Sequence, residues 1–491
     1  MRLLTLSLVA SVTPLQATVA AAVTPLDAFR LLDHTFCTGD HATPSVAAET
    51  AADCARLVPS SSWGFEWDCG GHEPNHQACV IFATAADCGG VKRSGCGSQV
   101  YVNRSQHLPA PAPTPGPPAP APPVKAVYDV SAFEALVPKW IAQYKLPGSA
   151  ANFSFEPGGD VPHPYAPSDV LHVLCGTGQL DTLTAEDREA YVEQIRGFQR
   201  PDGFFHESDI HGKAGGSMWH AAGYVTAGLS ILNAQPARNN LLFEKIAATP
   251  SLWEPTVHSL LHVDDTLPPL NITSGCSEGY SCAQNIASLA SWWIQTNQST
   301  GGLERHSKFL SWYYNYLRSQ TDPSTGLWCT PSQAAKHGEI NCIGGSFHID
   351  FVMQHVVMYP EHAPPGTDAS FAYPAQVLNS SLALEQPSGG WTADGMAYLN
   401  VDGMYQATRP SLQLGKARWD EVESSCDRLM ALVTTALNDE QKLIGQHSTV
   451  GANTHALPAL VGAVAECRKQ FPQMIKSVRP WKACLDEVPY I

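Results

Sequence analysis

Between residues 131 and 467, helical segments of two kinds take turns along the chain, and that alternation limits the possible folds more than any other feature. One kind is amphipathic. In residues 184–199 the apolar Tyr191, Val192, Ile195 and Phe198 fall at helical spacing, and Thr184 with Asp187 makes a capping box. The other kind, as in residues 218–232 and 347–358, is apolar nearly all round and has to be buried on every side. A composition of 44% hydrophobic against 15% charged residues supplies the core this needs. Pairing an outer, amphipathic segment with the inner, apolar one after it gives six pairs: 131–145 with 168–175, 185–199 with 217–233, 241–262 with 283–296, 306–320 with 345–358, 371–386 with 395–413, and 420–437 with 454–467. A polar–Gly–aromatic turn recurs three times, at Gln199–Phe205, Asp322–Trp328 and Gln386–Trp391, where glycine ends a helix and the aromatic returns the chain to the core.

The expected fold class is therefore mainly α: an α/α toroid of about six helical hairpins, preceded by a small disulfide-rich α+β module. An open solenoid would leave the apolar inner helices part exposed, so closure is favoured. The Gln-x-x-Asp-Gly-x-Phe type of turn, with alternating helices over about 360 residues, resembles the α/α-toroid superfamily of six-hairpin glycosidases, toroid polysaccharide lyases and terpene cyclases. That resemblance implies a funnel rimmed by the loops at one end of the ring. Terpene cyclase chemistry is disfavoured. Its Asp-x-Asp-Asp-Thr acid is matched only by His262-Val263-Asp264-Asp265-Thr266, with histidine at the first acidic position.

Upstream the chain changes character. Residues 1–22 read as a signal peptide: Arg2, an apolar run to Val12, and small residues at Ala20–Ala22. No later stretch is long and apolar enough to span a membrane. Residues 23–108 carry Cys37, Cys54, Cys69, Cys79, Cys88 and Cys96, a disulfide framework for a core too small to stand alone. A helix around 48–58, strands at 63–69 and 79–82, and a late strand at 99–101 resemble the PAN/Apple fold, a family that binds proteins or glycans without catalysis. A zinc site through His72, His76 and nearby cysteines is the weaker rival in an oxidising compartment. Residues 109–125 are the linker; the nine prolines among residues 109–123 make a semi-rigid spacer of roughly 45 Å. Residues 126–491 then form the toroid domain.

Fourteen cysteines behind a signal sequence point to a secreted, disulfide-bonded protein. Cys276 with Cys282 and Cys329 with Cys342 bracket two loops, while Cys175, Cys426, Cys467 and Cys484 are enough for two more bridges. N-glycosylation sequons stand at Asn103, Asn152, Asn271, Asn297 and Asn379. A net charge of −16 without a basic run argues against nucleic acid. The expected partner is a carbohydrate or glycoprotein, and the expected state is a monomer without a cofactor or metal.

Chemistry belongs on the loops and inner-helix starts that rim the funnel. Histidine recurs near the starts of inner helices, at His172, His220, His348 and His455, and acidic residues stand at Asp169, Asp350 and Asp402. The rim loops add His206, Glu207, Asp209, His211 and Asp394, with Lys336, His337 and Glu339 in a fourth loop and His447 in a sixth. Asp350, Asp402, His348 and Glu207 are the catalytic candidates, since glycoside hydrolysis uses two carboxyl groups at a set separation. His206, Asp209, His211, His220, Asp394, His455 and Trp391 are the substrate-binding candidates. A lyase would use His or Tyr as base, with Tyr224 and Tyr398 available. His206, Glu207, Asp209 and His211 have metal-ligand chemistry, although a solvated loop is the simpler reading. Trp219, Trp292, Trp293, Trp312 and Trp391 suit sugar stacking or, more simply, helical core. The expected function is glycan binding or cleavage, by hydrolysis or elimination; the alternative is a non-catalytic extracellular binding glycoprotein.

Overall fold

The computed structural model describes seven short stretches of the first 125 residues, the strands β1–β7 given below, and residues 126–490 apart from 206–217, 263–265, 268–269, 271, 274–275, 277, 298–302, 330–333, 336–337, 393–397 and 446–449. Contacts divide the chain into two units, Met1–Pro122 and Pro123–Ile491.

In the first unit the strands are β1 (Phe29–Leu32), β2 (Thr35–Cys37), β3 (Val46–Ala47), β4 (Gly64–Asp68), β5 (Ala78–Phe82), β6 (Val91–Arg93) and β7 (Gln99–Asn103). An antiparallel sheet runs in the order β1-β7-β4-β5-β3, and β2 pairs with β6. In register, Phe65 of the central strand β4 is paired with Ile81 of β5 on one side and Tyr101 of β7 on the other. Cys37 and Cys79 lie on β2 and β5. The signal segment, the helix expected near 48–58, the linker, His72, His76, Cys54, Cys69, Cys88 and Cys96 lie outside the described residues.

The second unit is mainly helical. Its helices are α1 (Ser131–Ala142), α2 (Tyr165–Gly176), α3 (Ala185–Gly197), α4 (Met218–Ile231), α5 (Leu241–Ala248), α6 (Pro250–Leu261), α7 (Gly279–Asn297), α8 (Leu303–Gln320), α9 (Glu339–Met358), α10 (Pro374–Leu384), α11 (Leu399–Gln413), α12 (Trp419–Leu437), α13 (Glu440–Leu443), α14 (Ala456–Gln470) and α15 (Cys484–Glu487). Among the described residues, the six inner helices pack in the order α2, α4, α7, α9, α11, α14, and α14 packs back on α2; α11 is buried although it carries Asn400, Asp402, Gln406 and Arg409. The amphipathic helices α3, α6, α8, α10 and α12 lie against them from outside. The burial follows the sequence pattern. All twelve residues of α2 are buried, whereas α3 buries only Tyr191 and Ile195. The capping box at Thr184 and Asp187 forms as read from the sequence.

Two features differ from the expected segments. The third outer segment is broken into α5 and α6, because Pro250 lacks an N–H and sits at the first position of the new helix. The third and fourth inner helices start earlier than their apolar runs, at Gly279 and Glu339, and each has a disulfide in its first turn: Cys276–Cys282 and Cys329–Cys342. A third disulfide, Cys426–Cys467, ties α12 to α14.

The recurrent turns behave alike. Gln199 and Phe205 form a bridge, and Gly203 between them has φ +90°, where an added Cβ would lie 2.1 Å from the Asn239 carbonyl oxygen. Phe205, Trp328 and Trp391 after the three turns are all buried. The ends of the unit are zipped together by β8 (Tyr128–Asp129), which runs parallel to β11 (Ile475–Lys476); β9 (Thr266–Leu267) and β10 (Ile272–Thr273) form a separate small pair.

Candidate functional site

The inner helices bring their N-terminal ends to one place. Tyr165 opens α2, His220 lies in the first turn of α4, Tyr280 in that of α7, Tyr398 precedes α11, and His455 precedes α14. Their rings meet: Tyr165 and His455 have centroids 4.9 Å apart, Tyr398 and His455 4.8 Å, Tyr165 and His220 5.5 Å. Gly344 of α9 leaves room for Tyr280 and Leu399, either of which a Cβ there would strike. The result is a basin of tyrosine and histidine at the end where the six helices begin.

Asp169 is the hub of this basin. It is fully buried on α2, and its carboxylate accepts hydrogen bonds from Tyr224 Oη at 2.6 Å, Thr454 Oγ1 at 2.6 Å and His455 Nδ1 at 2.8 Å. Tyr398 Oη lies 3.2 Å from the same His455 nitrogen. With the proton on Nδ1, shared between Asp169 and Tyr398, the Nε2 lone pair of His455 is left as a base, and this ring is 21% exposed. Burial, and then the Asp169 charge, push the Tyr224 and Tyr398 hydroxyls well above the usual phenol range, so both stay protonated donors.

Asp402 on α11 faces the same basin from the other side. It is fully buried, and neither carboxyl oxygen has a hydrogen-bond partner at normal geometry; the Tyr280 hydroxyl faces it without reaching that geometry. Burial raises this carboxyl well above the usual carboxylate range and so favours its protonated form.

The remaining histidines are held more firmly. His348 Nδ1 donates to the Gly344 carbonyl at 2.7 Å, and Nε2 accepts from Gln284 at 3.3 Å. Burial drives its pKa down to about 4, so it is a neutral ring fixed in one tautomer. Both nitrogens of His172 face carbonyl oxygens, those of Ser168 and Tyr490, and burial lowers its pKa as well. His220 pairs with the Tyr165 hydroxyl. Tyr490 lies beneath them all: its ring is 5.5 Å from His220 and 6.1 Å from His348, and its hydroxyl donates to the Gln284 carbonyl at 3.0 Å.

Of the residues singled out from sequence, His220, His348, Asp402 and His455 lie in the basin, with Tyr224 and Tyr398 beside them. Asp350 does not join them. It lies behind the ring wall, where its carboxyl accepts from Trp328 Nε1 at 2.9 Å and Gln406 Nε2 at 2.8 Å. Burial raises it to about 7. Trp391 is packed against Gly403 with its indole N–H on the Ser381 carbonyl, so it is core and not a stacking surface. Trp219, Trp292 and Trp293 are buried too. His206, Glu207, Asp209, His211, Asp394, Lys336, His337, His447 and Asn271 lie outside the described residues. Among the described residues no cluster of three or more His, Cys, Asp or Glu side chains has metal-site geometry. Of the other sequons, Asn103 ends β7, Asn297 ends α7, Asn152 donates to the Pro147 carbonyl, and Asn379 is exposed and accepts from Arg418.

Sequence reading missed Asp169 as the hub, and missed Tyr165, Tyr280 and Tyr490 altogether. The only available signal was position, since Asp169, Tyr165 and Tyr280 all fall in early turns of apolar helices. A small apolar cleft lined by Leu261, Ala283, Ile286, Trp328 and Ile349 lies between α7 and α9, apart from this chemistry. No described helix is long and apolar enough to cross a membrane. Compared with models of known families, with curated proteins and with solved structures, the chain matches none.

Proposed function

We propose that residues 126–491 form an α/α toroid that cleaves a uronic-acid-containing polysaccharide by elimination, with the histidine–tyrosine basin as its site. On this reading the protein is secreted and glycosylated, and the first unit is a PAN/Apple-like module that holds it on a glycan or glycoprotein. One observation carries the choice of reaction: His455 lies between Asp169 and Tyr398 with Nε2 left over. Elimination needs a base for the proton next to the sugar carboxyl and an acid for the departing oxygen. His455 Nε2 takes the C5 proton, the C4–C5 double bond forms as the C4–O4 bond breaks, and Tyr398 protonates O4. Asp402, holding its own proton, donates a hydrogen bond to the sugar carboxylate and steadies the charge that builds there. Hydrolysis by the sequence-named carboxyl groups is less well served, because Asp350 faces Trp328 and Gln406 behind the wall.

The test is a panel of uronic, neutral and amino polysaccharides, read for unsaturated sugar ends by ultraviolet absorbance and for reducing ends by colour. Unsaturated ends from a uronic polymer, lost in His455→Ala, support elimination. Reducing ends without unsaturation mean hydrolysis. Tight binding without product from any polymer means the non-catalytic reading, which the Tyr490 ring packed against His220 and His348 favours.

A further inference from the structure

Eight cysteines lie between residues 126 and 491, and six of them are joined in three disulfides. The other two, Cys175 and Cys484, are both buried at 3% exposure. They are 309 residues apart in sequence, yet the fold sets them together. Cys175 is in the last turn of α2 and Cys484 opens α15. The chain just before α15 lies along the end of α2, with Lys482 N donating to the Gly176 carbonyl at 2.9 Å. The Pro480 carbonyl oxygen would be only 2.5 Å from a Cβ at Gly178. The neighbouring Cys175 thiol, and then burial, push the Cys484 thiol well above its usual range.

The segment they would fasten reaches the site. Trp481 Nε1 donates to Glu134 at 2.7 Å, and Asp486 pairs with Arg409 at 3.0 Å and with Lys469. Beyond α15 the chain enters the ring. Tyr490 is fully buried there, taking a hydrogen bond from Ser288 at 3.2 Å, lying against Gly223, and offering its carbonyl to His172.

We propose that Cys175 and Cys484 form a fourth disulfide of this unit, and that it pins the segment 484–490 so that Tyr490 stays in place as the floor of the basin. One S–S bond forms as two S–H bonds are lost. The two electrons and two protons pass to a disulfide-bearing oxidant, a dithiol–disulfide oxidoreductase or glutathione disulfide, which leaves as thiols. Because both sulfurs are buried, the exchange belongs to folding, before α15 closes over α2. The proposal does not depend on the polysaccharide reading.

The full chain, secreted and never reduced, is unfolded in an alkylating agent, digested and mass-mapped. The expected result is a linked peptide pair containing Cys175 and Cys484, two hydrogens lighter than the separate thiols, with neither cysteine alkylated. Full alkylation of both, or their linkage to other cysteines, overturns the proposal. The pinning is tested with the Cys175→Ser, Cys484→Ser double variant. Amide hydrogen exchange in 484–490 should rise at least tenfold while α7 and α9 keep their protection; unchanged exchange in 484–490 overturns the role assigned to the bond.

Discussion

The two ends of the helical ring both bury charged or titratable groups, and they treat them in opposite ways. At the end where the inner helices finish, a buried charge cluster is matched. Arg409 donates to Glu466 through Nε at 2.8 Å and Nη2 at 2.5 Å, Thr408 adds a bond to Glu466 at 2.6 Å, and Asp486 closes the set. Arg409, despite the burial of the pair, holds the Glu466 carboxyl below its usual range. At the end where the helices begin, Asp402 has no partner at normal geometry and His348 is kept neutral. Matched charges hold a fold together. A buried acid left unmatched costs stability, and a fold keeps such a group where a ligand uses it.

The largest effect should come from breaking the matched end. Arg409→Met keeps the stem but leaves Glu466 buried and unpaired, and should cost about 3–5 kcal/mol, read as a fall in urea midpoint. A loss under 1 kcal/mol would dissolve the contrast. Next is the basin: His455→Ala should lower polysaccharide turnover by roughly 10²–10⁴-fold through loss of the base, with the melting temperature nearly unchanged.

Asp350 sharpens the comparison through pH. Burial lifts its carboxyl from 3.8 to about 7, so the folded protein keeps a proton that the unfolded chain gives up. Its contribution is therefore complete below the usual carboxylate range, falls as pH climbs to about 7, and then levels, at up to about 1.4 kcal/mol per pH unit. Gln406 Oε1 has no partner, so in Asp350→Asn the Gln406 amide can turn and accept from the new amide. That variant should show a flatter stability profile between pH 4 and 7 in urea titrations. His348 works the other way: pushed down to about 4, it favours the fold above the ordinary imidazole range and loses that contribution as pH falls.

The two kinds of helix were legible because burial leaves a periodic trace. A helix covered on all sides has to be apolar all round, and α2 and α9 are; a helix covered on one side keeps a stripe, as Tyr191 and Ile195 do on α3. The histidines were visible for the same reason, as polar exceptions in apolar runs, but only His220 and His455 stand at helix starts; His172 and His348 fall in the middle of α2 and α9, which begin before their apolar runs. Their partners were not, because the bonds span the chain. Asp169 meets Tyr224 across 55 residues and His455 across 286, and Tyr490 meets Ser288 across 202. Nor does sequence fix how a helix is turned about its axis. Asp350 and Asp402 look alike as acids on inner helices, but one faces Trp328 and the other Tyr280.

The smallest expected stability change tests the central claim most directly. Asp402→Leu keeps the volume and removes the donor, and it exchanges a buried acid without a partner at normal geometry for an apolar side chain, so thermal unfolding should match or slightly exceed wild type, within about 1 kcal/mol. In the same samples, formation of unsaturated ends from the uronic polymer should fall by at least 10²-fold, because the sugar carboxylate loses its hydrogen bond. If Asp402→Leu instead unfolds as readily as Arg409→Met, or cleaves like wild type, the buried acid belongs to the scaffold and the basin is not the site.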